Sequence, residues 1–169
     1  MKIRVVGQIW YREHGWGGNP APVYDRPESE FWREHNFITI RNSGVDDENC
    51  AVPVSGPNIL KLQFDDVIDV AEPRLVPFTP EMARRIAEFV AAVDRSRELF
   101  INCAAGISRS GAVGEVLDEY FNRYLEQNEL DHLHFTRFSS QIQGNSLVRR
   151  LLRRALKLTC DGSSAPGAE

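Results

Sequence analysis

Cysteine is scarce in this chain: there are three in 169 residues, Cys50, Cys103 and Cys160. An odd and sparse set excludes a disulfide-stapled scaffold and fits a reducing compartment, so a cytoplasmic protein is expected. No apolar run approaches the ~20 residues that a membrane span needs. The opening residues, Met1-Lys-Ile-Arg-Val-Val-Gly7, lack the long apolar core of a secretory signal. Positive charge is not in excess. The formal net charge is −4, so no basic field calls for nucleic acid, and no such partner is expected. No cysteine or histidine pair has metal-ligand spacing, since His132 and His134 alternate as strand or loop positions do. Neither a metal nor another cofactor is expected, and no internal repeat is visible.

What is present is the composition of one ordinary globular domain, 42% hydrophobic and 26% charged. The domain is expected to fill residues 1–159, with a small polar tail over 160–169 expected to be disordered. Ile3 to Ile9, Phe37 to Ile40 and Ile59 to Phe64 read as short strands. Between the first two lies Trp10 to Asn36, rich in glycine, proline and aromatics, with a short helix expected around Ser29 to His35. It reads as a surface loop pinned by its aromatics; a wall of a substrate cleft is the functional alternative. Asn42 to Asn49 reads as a turn with solvated acids. Thr79 caps a helix that has Pro80 in its first turn, and Met82, Ile86, Phe89, Val90 and Val93 keep helical spacing. A last helix starts near Gly144-Asn145 and runs to Leu158. Its leucines and arginines alternate in pairs, which gives one apolar and one basic face. The basic face reads as solvated; contact with anionic lipid or an acidic partner is the alternative.

The chemistry concentrates in Cys103-Ala-Ala-Gly-Ile-Ser-Arg-Ser-Gly111. Glu98 to Asn102 before it reads as a buried strand, and Ala112 to Phe121 after it as part of a helix that runs to about Glu126. The thiol would therefore close a strand, in a loop wrapped over a helix N-terminus. Unpaired N–H groups there favour an anion, as does a nest of successive amides. Helix N-termini and nearby positive charge also favour thiolate over thiol, which is the nucleophilic form. The loop interior is Ala104, Ala105, Gly106, Ile107 and Ser108; Gly106 permits the tight bend, and the two alanines leave the cavity floor unobstructed. The planar fork of Arg109 can hold two phosphate oxygens. Ser110 can hydrogen-bond the sulfur when it leaves. A general acid should come from a separate loop, and Asp65-Asp66, after the third strand, is the best candidate.

With these residues in place, the chain resembles the cysteine-dependent protein tyrosine phosphatase superfamily, on its small dual-specificity branch. The resemblance spans about Ile59 to Leu156, and Ala105-Gly106-Ile107-Ser108-Arg109-Ser110 is its most specific part. The first ~50 residues carry none of it. It implies an α/β fold: a central, mostly parallel sheet of about four or five strands flanked by helices, with the phosphate loop at the carboxyl end of the central strand. It implies a nucleophilic role for Cys103, phosphate binding by Arg109 and the backbone of 104–108, assistance from Ser110, and a general acid at Asp66, with Asp65 as the alternative. Asn145 falls near an asparagine that braces such sites, and Gln141 or Gln143 would position water by analogy.

One position departs from the pattern. The family carries histidine directly before the cysteine, where this chain has Asn102. An amide keeps the hydrogen bonding and loses the positive charge, so modest turnover is expected. The resemblance implies a phosphomonoester hydrolase working through a cysteinyl-phosphate, on a phosphorylated protein or another phosphomonoester. The alternatives are a pseudophosphatase that binds phosphorylated partners, or a phosphatase for phosphoinositides or RNA 5′-triphosphates. The loop interior has no lysine, and phosphoinositide enzymes of the superfamily often carry basic residues there. A sulfur-transfer enzyme is a further reading, because such enzymes also use a cysteine loop.

Overall fold

The computed structural model describes residues 1–46, 50–68, 73–121 and 143–158. Among these residues four parallel strands form one sheet in the order β1-β4-β2-β3: β1 is Ile3–Gly7, β2 Asn36–Arg41, β3 Ile59–Gln63 and β4 Leu99–Cys103. The α/β architecture with helices flanking a parallel sheet is the expected one. Every residue of β4 is buried, and the strand sits between β1 and β2. That suits a near-continuous apolar run covered on both faces. Edge strand β3 carries Lys61 and Gln63 and is only half-buried. Because all strands run the same way, their carboxyl ends share one edge, where Gly7 pairs with Cys103 and Arg41 with Gln63.

Alternation along the strands sorts the core into two layers. Ile3, Val5, Ile38, Ile40, Leu62, Leu99, Ile101 and Cys103 face one way, against the longer helices. These are α3 (Pro80–Ala92), α4 (Arg109–Asp118) and α5 (Ser146–Ala155). α3 starts as expected: Thr79 Oγ1 accepts from the Met82 N–H at 3.2 Å, and Pro80 occupies the first turn. α4 is almost wholly buried against β1 and β4, and α5 lies across α3 and α4. The expected extension of α4 to Glu126 lies partly outside the described residues.

The opposite layer is built from Val6, Phe37 and Phe100 and from the segment expected to be a surface loop. Two short helices, α1 (Trp10–Glu13) and α2 (Phe31–Glu34), flank a single 3-10 turn at Val23–Asp25. Tyr11, Val23, Phe31 and Trp32 are buried, so the aromatics form a core layer and do not merely pin a loop. Phe31 lies edge-on to Phe100, with ring centroids 5.2 Å apart, and Phe37 stacks on Phe100 at 5.7 Å. Offset and edge contacts of this kind add roughly 0.5–1.5 kcal/mol each beyond area burial.

The basic face of the last helix is partly turned inward. Arg149 pairs with Glu115 and Arg153 with Glu119, both partners on or just past α4. Arg150 and Arg154 are exposed. The helix stops before the expected Leu158, at a turn where Lys157 takes a φ of 57°. Among the described residues no helix is long and apolar enough to cross a membrane.

Candidate active site

Strand β4 delivers Cys103 to the sheet's carboxyl edge, and α4 begins six residues later with Arg109. The connecting loop is pinned from below. The Gln8 N–H donates to Cys103 O at 3.0 Å and to Ala104 O at 3.2 Å. In a trans peptide the carbonyl and the following N–H point to opposite sides. Those bonds therefore direct the amides of Ala104 and Ala105 away from Gln8. Gly106 has a φ of +77°, and a Cβ there would lie 2.4 Å from Gly7 N and 2.5 Å from the Val6 carbonyl carbon. Only glycine satisfies both the conformation and the close approach.

Cys103 is buried, and its Sγ lies 3.1 Å from Ser110 Oγ. Ser110 belongs to the first turn of α4, so the hydroxyl reaches back to the thiol as expected. The Arg109 side chain is buried too. Its Nη1 donates to Phe64 O at 2.7 Å, its guanidinium lies 6.0 Å from the Phe64 ring centroid, and its Nε is buried with no hydrogen-bond partner among the described residues. Ser108 precedes α4 without capping it by its side chain; the hydroxyl donates instead to Asp66 Oδ1 at 2.8 Å. Asn145 Nδ2 donates to that oxygen at 2.8 Å and to Val67 O at 3.1 Å. Meanwhile Asn145 Oδ1 caps α5 by accepting from the N–H groups of Leu147 and Val148, and the Asn145 N–H donates to Ser108 O.

The two adjacent acids differ sharply. Asp66 is exposed at the loop's rim. Asp65 is buried, and its carboxylate accepts from the Ser43 N–H, the Ser43 hydroxyl and the Val76 N–H. Burial pushes the Asp65 carboxyl up, but those hydrogen bonds and the Arg109 charge outweigh it and hold the group below its ordinary value. Asp65 is thus a fixed anion, with its oxygens spent on tying the chain after β2 and the segment before α3 to β3.

Asn102 faces the other layer, as alternation in β4 requires. It is buried opposite Thr39, and its Oδ1 accepts from the Tyr11 hydroxyl at 3.4 Å. Cys50 lies on this side too, 3.7 Å from Thr39 Oγ1. Cys50 and Cys103 are free thiols. Gln143 is exposed, whereas Gln141, His132, His134 and Cys160 lie outside the described residues. Among the described residues no group of three or more His, Cys, Asp and Glu side chains is placed to hold a metal ion.

The structure therefore gathers Cys103, Ser108, Arg109, Ser110 and Asp66 around one loop, with Asn145 joined to it. Sequence reasoning missed the tie of Tyr11 to Asn102, the Ser43 and Val76 clamp on Asp65, and the Phe64 carbonyl that holds Arg109. Backbone carbonyls and distant hydroxyls leave no sequence signal. The Thr39 and Asn102 positions do, as polar residues inside strands expected to be buried. Neither a protein-family model nor a curated protein matches the chain.

Proposed function

We propose that the protein is a phosphomonoester hydrolase that works through a cysteinyl-phosphate, with phosphorylated tyrosine, serine or threonine side chains of proteins as substrates. The observation that carries this reading is the 3.1 Å contact of the Cys103 thiol with Ser110, within a strand–loop–helix turn whose Ser108 also binds Asp66. A nucleophile, a group able to stabilise it as it leaves, and a rim carboxyl thus converge on one loop. Support also comes from Arg109. A buried donor without a partner costs about 1–3 kcal/mol, which an anionic oxygen at that position would offset.

In the first step the Cys103 thiolate attacks phosphorus. The bond from phosphorus to the leaving oxygen breaks, and Asp66 gives that oxygen its proton. Amides of the loop and the Arg109 fork take the charge of the transferring group. Water then attacks phosphorus, Asp66 accepts its proton, and the sulfur–phosphorus bond breaks. The sulfur leaves as thiolate, accepting the Ser110 hydroxyl proton in a hydrogen bond. The three hydrogen bonds that the Asp65 carboxylate accepts favour Asp66 over it for the acid role. Exposure of Asp66, Ala104 and Ala105 fits a shallow mouth, which suits more than one phosphorylated side chain. The chemistry needs a reduced thiol, which makes the cytoplasm the proposed compartment.

Hydrolysis of an aryl phosphate is the direct test. Cys103→Ser should lower turnover to background while phosphopeptide still binds. Asp66→Asn should slow alkyl phosphates more than activated aryl phosphates, since only poor leaving groups need the proton. Full turnover in Cys103→Ser would remove the mechanism. Equal slowing of both substrates in Asp66→Asn would remove Asp66 as the acid. Phosphopeptide binding by the native chain without phosphate release would mark a binding module.

A further inference from the structure

Residues 8–11 grip the strand end that carries the thiol from two directions. The Gln8 N–H donates to Cys103 O at 3.0 Å and to Ala104 O at 3.2 Å. The Tyr11 hydroxyl donates to Asn102 Oδ1 at 3.4 Å. Both Tyr11 and Asn102 are buried, in the layer built from aromatic and aliphatic side chains. Apolar residues of the same shape would pack there as well without a hydrogen bond to satisfy, so packing alone does not account for the polar pair. The Tyr11 ring is fixed by Phe31, Trp32, Phe37 and Phe100, with centroids 5.5 to 6.4 Å away, and this fixes where its hydroxyl lies. Burial, and after it the neighbouring Cys50, push the phenol well above its ordinary value, so it keeps its proton and donates. The carbonyls of Cys103 and Ala104 belong to the same rigid peptide planes as the Ala104 and Ala105 amides. A slip of residues 8–11 along β4 therefore turns two of the N–H groups that would meet an anion at the loop.

We propose that Tyr11 is a positioning residue for the loop: through Asn102 it keeps residues 8–11 in register with 102–104, and so holds the Ala104 and Ala105 amides converged on an anion beside Cys103. Its effect on turnover rests on the hydrolase reading above; its hold on the loop does not. Tyr11 touches no reacting atom and acts through Asn102 and the strand.

The test compares alkylation of Cys103 by iodoacetate, an anion, with alkylation by neutral iodoacetamide at one pH, read by mass on the peptide that carries Cys103. Both reagents need the thiolate, so its amount cancels in the ratio of rates, and what remains is the pull of the amides on the anion. The native ratio should exceed that of free cysteine. Tyr11→Phe keeps the ring and removes only the hydroxyl. It should lower the ratio about threefold, the low end for one buried hydrogen bond, as the 3.4 Å length implies. Asn102→Ala should do the same, and the double variant should fall no further, because both break one link. Thr39 is paired with Asn102 across the sheet and directs its hydroxyl to Cys50. Thr39→Val therefore removes a buried hydroxyl from the same layer and should leave the ratio at the native value. A native ratio no higher than that of free cysteine, an unchanged ratio in Tyr11→Phe, or an equal fall in Thr39→Val overturns the proposal. A native chain that hydrolyses no aryl phosphate, while the ratio falls as stated, sinks the hydrolase reading alone.

Discussion

At residue scale, Asp65 and Asp66 share a backbone and little else. Asp66 Oδ1 takes hydrogen bonds from Ser108 and Asn145 at the exposed rim of the loop. Asp65 is locked by Ser43 and Val76. Its folded form gives up the proton more readily than its unfolded form, so the unfolded chain binds more protons in acid. The stability it contributes is therefore present above the ordinary carboxylate range and is lost as pH falls through that range and below it. Asp65→Asn should lower the melting temperature at neutral pH, and it should flatten the decline between about pH 5 and pH 2 relative to the native chain. Thermal unfolding across that range checks it. A decline as steep as the native one would show that other carboxylates govern acid stability.

At the scale of elements, the junction of β1, the loop and α5 depends on two residues. Gly106→Ala places a methyl against the Gly7 and Val6 backbone in a left-handed conformation, so both chains must move. A loss of at least about 2 kcal/mol is expected from strain and clash together. Denaturant titration measures that loss, and a near-neutral result would mean that the crossing is looser than drawn. Asn145 serves two masters: it caps α5 and donates to Asp66. Asn145→Ala loses both, with about 1–2 kcal/mol expected from the cap. Asn145→Asp keeps the cap but sets a second carboxylate against Asp66. Its stability should stay close to native while turnover falls, and unfolding and kinetic assays on the two variants separate the roles. These elements also show what was legible in the sequence. β4 and the start of α3 follow from local signals: a run that is apolar at four of its five positions, and threonine before proline at the head of a helical repeat. The same holds for Cys103 and Ser110, seven residues apart on one strand–helix turn. The links from Asn145 to Asp66 and from Tyr11 to Asn102 join residues 79 and 91 positions apart, and only the folded sheet brings them together.

At the scale of the whole molecule, the segment 10–35 takes the place that a second pair of helices often fills in parallel-sheet proteins. Its aromatics seal the face of β4 opposite α4. Asn102 and Cys103 are adjacent in that strand, so what supports Asn102 from the Tyr11 side bears directly on the thiol's backbone. The layers share a sheet and should unfold together. The composition supplies a probe for each. All three tryptophans, Trp10, Trp16 and Trp32, lie in the aromatic layer, so their fluorescence reports that side. Far-UV circular dichroism is dominated by α3, α4 and α5 on the other side, the longest helices among the described residues. The two signals should trace one denaturant transition in the native chain. Phe31→Ala empties the centre of the aromatic layer and should cost about 3–5 kcal/mol, moving both transitions to lower denaturant together. A fluorescence transition that precedes the dichroism would mean that the aromatic layer opens by itself. Cys103 would then sit on a strand with only one fixed face.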